Sequence, residues 1–251
     1  MITDFLRLAF LGGMLAVDKS AGWNLMLSQP LVGACLAGAL VHPGPEWELW
    51  ALRIPIAVGA LLQLLLTNAA LPAAQRRHDT ATAGAIGSTV AVLGMEHLHA
   101  AMPSSSGGLL WVLLGVVAGL VAAVIGGWVQ GLHRSAAAAD ARHAAAIAAT
   151  GDAGAYERFY LGSLLRIFTL GALWTWCGAL VLLAGALTLM PRLANLVTTR
   201  RIGILFAVLL GAALAAAYEA HVKGVKRGFA WSLAGAAAAV ALLLTLASGD
   251  A

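Results

Sequence analysis

The chain has 251 residues, 61% of them hydrophobic and 10% charged, with a formal net charge of +4. A soluble domain carries about 25% charged residues, so this chain lacks the charge to cover a water-facing surface. Those figures exclude disordered, collagenous and disulfide-built chains and point to a polytopic, all-α integral membrane protein.

At about 20 residues per span the length allows roughly eight crossings, all in one membrane domain, residues 1–251. The basic excess, 15 Lys and Arg against 11 Asp and Glu, suits cytoplasmic loops better than nucleic-acid binding. Cys35 and Cys177 lie in apolar runs and are read as buried free thiols.

In chain order, the apolar runs 5–17 and 31–41 come first. They are short for crossings and suit half-helices or re-entrant hairpins. Asp4 precedes the first run and no small-residue cleavage site follows it, so it is not read as a signal peptide. A polar stretch from Asp18 to Pro30 separates the two runs. The next run, Ile54 to Leu71, carries Gln63, Thr67 and Asn68, and Gln63 and Thr67 share a helix face. Gln75-Arg76-Arg77-His78-Asp79 follows, then a small-residue segment, 80–94, and Glu96-His97-Leu98-His99. The one-residue spacing of the histidines suits a strand better than a helix, and no further ligand is close. That group is read as a solvated interface loop, not a metal site.

Gly107 to His133 reads as a complete span, with Gly115 and Gly119 set for close helix contact. Residues 134–158 are alanine-rich but carry Asp140, Arg142, His143, Asp152 and Glu157, which predicts a cytoplasmic surface helix broken at Gly151-Asp152. Tyr160 to Met190 is a long span that Pro191 is expected to stop. Ile202–Tyr218 and Phe229–Ala247 give two more. Alternation then puts Arg192, Arg200 and Arg201 outside, against the positive-inside rule, unless one stretch is re-entrant. Trp23, Trp47, Trp50, Trp111 and Trp128 sit near run ends, as an interface belt predicts.

The chain thus divides into an irregular half, 1–106, and a half of scaffold spans, 107–251. Broken helices with polar residues in the breaks point to a solute site in the first half. Each polar residue there also has a plain reading, as a solvated span end, an interhelical hydrogen bond or a loop charge. No phosphate loop, nucleophile elbow or cysteine motif appears, so no catalytic residue, metal ligand or cofactor is expected on this chain.

Three segments carry a resemblance. Gly12-Gly13 leads to Asp18-Lys19-Ser20-Ala21-Gly22-Trp23-Asn24-Leu25-Met26-Leu27-Ser28-Gln29-Pro30-Leu31-Val32. Gly59-Ala60-Leu61-Leu62-Gln63 runs to Asp79. Ala139-Asp140-Ala141-Arg142 runs through Gly151-Asp152 to Tyr156-Glu157-Arg158. In that order, and without large insertions, the chain resembles the IIC membrane component of mannose/fructose/sorbose-type phosphotransferase systems. Many members read Asp-Arg-Thr-Ala at the start of the first segment and Met-Ile-Ser-Arg-Pro-Leu at its end. In the second they carry a Gly-x-x-Leu-Glu helix with an Asp sixteen residues after the Glu, the spacing of Gln63 and Asp79 here. In the third they have a helical Ala-Asp segment and a Gly-Asp or Gly-Asn turn. The chain departs from the pattern at Gln63, where members have glutamate. It departs again at Leu71-Pro72-Ala73 and Arg77-His78-Asp79, where they have Pro-Val-Gly and a Pro-Pro-Asp-like end. Gln keeps the shape of Glu but removes a charge and its charge-assisted acceptor sites.

The resemblance implies a multi-pass permease subunit of the bacterial inner membrane that binds a sugar and carries it inward. It implies a IID-type membrane subunit and soluble IIA and IIB subunits as partners, an oligomeric assembly, and no nucleic acid. Asp18, Asn24, Gln63, Asn68 and Asp79 would then offer hydrogen bonds to sugar hydroxyls. Two other readings stand beside it: a non-phosphorylating permease or channel for a small solute, and a non-transporting membrane subunit of the same fold, the latter motivated by the lost glutamate.

Overall fold

The computed structural model describes residues 2–20, 26–27, 29–41, 49–66, 79–99, 105–196 and 199–221. Their regular structure is entirely α-helical: α1 (Ile2–Ser20), α2 (Pro30–Val41), α3 (Leu49–Leu66), α4 (Thr80–His99), α5 (Ser105–Ala149), α6 (Ala153–Leu196) and α7 (Thr199–His221). Asn24, Thr67, Asn68, Arg76, Arg77, His78, Trp23, Trp47 and the run Phe229–Ala247 lie outside the described residues.

Small side chains decide the centre. Residues 82–94 of α4 are all buried, and α4 packs against α1, α2, α3, α5 and α6. A helix surrounded on every side has no polar face. Its Gly and Ala let neighbouring backbones approach closely. At Gly84 a Cβ would fall on the carbonyl of Pro30, so α2 begins against the second turn of α4. At Gly87 a Cβ would lie 2.5 Å from the carbonyl oxygen of Gly115, which joins α4 to α5. Gly119, one turn on, faces Leu62 of α3, so the expected small-residue pair is used as expected. Around this centre Leu8, Leu15, Val58, Leu62, Ile86, Val90, Trp111 and Val116 form a continuous apolar core.

Helix α5 is one piece through 45 residues, about 67 Å at 1.5 Å per residue. The surface helix expected at 134–158 is therefore the uninterrupted continuation of the preceding span, because alanine keeps the helix going where apolar residues stop. The expected break is real. Gly151 adopts φ 72°, a conformation costly for any residue with a Cβ. Asp152 then caps α6, its Oδ1 accepting the Ala155 N–H at 3.0 Å. The outer parts of α5 and α6 form a projecting antiparallel hairpin, joined by Asp140 and Arg166 at 3.0 Å and by His143 against Phe159.

Other expectations fail. Pro191 lies inside α6, which continues to Leu196. Proline disturbs only the turn before it, and Leu193, beyond it, packs against the core. Glu96, His97 and His99 belong to the end of α4, not to a loop. Trp111 is a core residue, 1% exposed, and not part of an interface belt, whereas Trp128 is 80% exposed. Both cysteines are free thiols, with Cys35 partly buried and Cys177 exposed instead of buried.

Two stretches, Gly108–Val129 and Ala153–Leu193, are long and apolar enough to cross a membrane. Pro30–Val41, Arg53–Leu66 and Arg201–Leu214 are shorter apolar helices, and the stretch expected as a span at 202–218 lies wholly within α7. Large apolar side chains stand exposed along α1, α5, α6 and α7, among them Leu6, Phe10, Val124, Val181 and Val208. Apolar surface of this extent marks contact with another apolar body.

Candidate functional site

The C-terminal end of α1 and the N-terminal end of α4 meet against the middle of α5. Asp79 directly precedes Thr80, in the N-cap position of α4, and is 3% exposed. Its backbone N–H donates to the carbonyl of Ala123 in α5 at 2.8 Å. One carboxylate oxygen, Oδ2, accepts the Thr82 hydroxyl at 2.7 Å. The other, Oδ1, accepts from the Lys19 ammonium at 3.3 Å. Lys19 is in the last turn of α1. A carboxylate at a helix N-terminus and an ammonium at a C-terminus each suit the local helix dipole. A buried carboxylate also requires such partners, since unpaired it would be strongly disfavoured. Asp18, next to Lys19, is itself 2% exposed.

A fourth helix joins the group. The indole Nε1–H of Trp174, in α6, donates to the Thr82 hydroxyl oxygen at 3.1 Å. Gly126 of α5 makes room for the arrangement. A Cβ there would come within 2.8 Å of the Asp79 Cβ and 2.9 Å of the Trp174 Nε1. Thus α1, α4, α5 and α6 converge on the Asp79–Thr82 pair.

A second polar cluster stands at the same end of α4, because Gly84 abuts Pro30. The chain enters α2 through Met26 at φ 60°, with the Gln29 N–H on the Met26 carbonyl at 3.2 Å. The first N–H groups of a helix have no partner within it. Gln63 of α3 supplies one: its Oε1 accepts the Leu31 N–H at 3.4 Å. Its Nε2 donates to Oε1 of Gln29 in a close contact. Gln63 therefore ties α3 to the start of α2 by both ends of its amide.

Of the five residues singled out from sequence, Asp79 is the hub and Asp18 adjoins its ionic partner. Gln63 occupies the neighbouring cluster, and Asn24 and Asn68 lie outside the described residues. Sequence reasoning did not assign a site role to Lys19, Thr82, Trp174, Gly126 or Gln29. Thr82 was findable, since a hydroxyl three residues after a capping Asp lies within its reach. Trp174 sits in an apolar run that gives no sign of it. No group of three side chains able to hold a metal ion occurs among the described residues. No family model, curated protein or solved structure matches the chain.

Proposed function

We propose that the chain is a polytopic membrane subunit that binds a sugar and carries it across the bacterial inner membrane, as the IIC component of a mannose/fructose/sorbose-type phosphotransferase system. The observation that carries this reading is the ion pair of buried Asp79 with half-buried Lys19, where the C-terminal end of α1 meets the N-terminal end of α4. Ionisable side chains at membrane depth are costly and serve function by default, and helix ends that meet within a bundle are where transporters hold solutes. On this reading the apolar side chains exposed on α1, α5, α6 and α7 face acyl chains. At about 67 Å, α5 is more than twice the ~30 Å of hydrocarbon, so the outer hairpin stands in cytoplasmic water. Phosphate is carried by IIA and IIB subunits, and a IID-type subunit completes the membrane complex.

Two of the departures from the family pattern compensate each other. The pattern has Arg before the Pro-Leu of the first segment and Glu closing the Gly-x-x-Leu-Glu helix of the second. Here those positions are Gln29 and Gln63, and the two side chains touch. Both charges are lost together, and a neutral amide pair stands where a complementary ion pair would fit. The change therefore preserves the joint between α2 and α3.

The test is uptake and phosphorylation of labelled D-mannose, D-fructose and L-sorbose by vesicles containing the chain with IID, IIA and IIB subunits. Phosphorylated sugar inside the vesicles is the expected result, lost in Asp79→Ala. Unmodified sugar inside would favour a non-phosphorylating permease. Binding unchanged in Asp79→Ala would remove the assigned site.

A further inference from the structure

The site has a fixed hydrogen-bond polarity. An indole N–H only donates, so the Thr82 oxygen accepts from Trp174 and its single proton is left for Asp79 Oδ2. An ammonium also only donates, so Oδ1 accepts from Lys19. The two oxygens are not equivalent. Oδ2 is held at 2.7 Å by a buried hydroxyl that is itself held by the indole. Oδ1 is held at 3.3 Å by an ammonium whose side chain is 21% exposed, against 4% for Asp79.

We propose that Trp174 is a positioning residue for solute binding at Asp79. Through Thr82 it commits Oδ2, and it leaves Oδ1 as the oxygen a solute hydroxyl meets in exchange for the Lys19 ammonium. The solute site thus depends on α6, a helix of the half that sequence assigns to scaffold. This inference rests on the sugar-binding reading above. Trp174 does not touch the solute; it acts by fixing one hydroxyl proton, so its effect passes entirely through Thr82.

The test uses the full chain in lipid nanodiscs, with D-mannose, D-fructose and L-sorbose as probes and affinity read by calorimetry. Trp174→Phe and Thr82→Val should each weaken binding about tenfold, the scale of one hydrogen bond to a charged group. The double variant should be no weaker than either single one, because both cut the same chain. Thr82→Ser, which keeps the hydroxyl, should bind as the unaltered chain does. If Trp174→Phe fails to fold, the contrast between Thr82→Val and Thr82→Ser decides. Equal affinity in those two, or losses that add in the double variant, would overturn the inference while leaving the sugar-binding reading intact. An unaltered chain that binds none of the three sugars would overturn both.

Discussion

Helix α4 and the outer half of α5 are both built from small residues, yet α4 is enclosed by five other helices while residues 140–149 of α5 stand largely in the open. The difference lies in which small residue is used and what accompanies it. In α4 glycines at 84, 87 and 94 sit where a neighbour's backbone or ring occupies the place of a side chain. In the outer hairpin alanine predominates, which favours helix without help from packing, and Asp140, Arg142 and His143 keep it wet. Smallness serves proximity in one region and propensity in the other. Composition alone does not separate the two; the placement of glycine and of charge does.

Substitutions ranked by effect probe this contrast. Gly84→Val drives a branched side chain into the Pro30 carbonyl and should cost on the order of 3 kcal/mol or more, seen as loss of folded protein in detergent unfolding. Asp79→Ala removes a cap and two charge-assisted hydrogen bonds, one from Thr82 and one from Lys19. It should cost about 3 kcal/mol in the same measurement. Gln63→Leu leaves the Leu31 N–H without its acceptor and should cost about 1 kcal/mol. Gln63→Glu combined with Gln29→Arg should be more stable than the two single changes sum to, by about 1 kcal/mol in a double-mutant cycle. In the hairpin, Gly162 has open space where a Cβ would go, so Gly162→Ala should stabilise by about 0.5 to 1 kcal/mol. Asp140→Ala breaks only an exposed ion pair and should shift stability by about 0.5 kcal/mol or less, with the shift vanishing in 1 M salt. A Gly84 variant as stable as the Gly162 one would erase the distinction between the two regions.

Sequence reading located α5, α6 and α7 because long apolar runs bounded by charge carry their own signal, and it located the Gly151 turn because glycine there had a conformational reason. It read the 80–94 segment only as small residues, since a helix buried all round has no periodicity to detect. It ended α6 at Pro191 because sequence shows the proline but not the core contact of Leu193 that holds the helix beyond it. Asp79 was legible from its resemblance to a motif. The indole that fixes it, 95 positions away at Trp174, was not, because that link exists only in three dimensions.

The unbroken course of α5 has a mechanical consequence. Asp79 hangs by its backbone N–H from the Ala123 carbonyl, and the same helix runs on without a break to Ala149, beside the Gly151 turn. From Ala123 to that turn is a lever arm of about 40 Å at the rise of an α-helix. A tilt of about 5° at Ala123 sweeps the turn by about 3.5 Å. The hairpin tip is thus tied through one stiff helix to the backbone of Asp79, and a small repacking around Asp79 is displayed, magnified, at the far end.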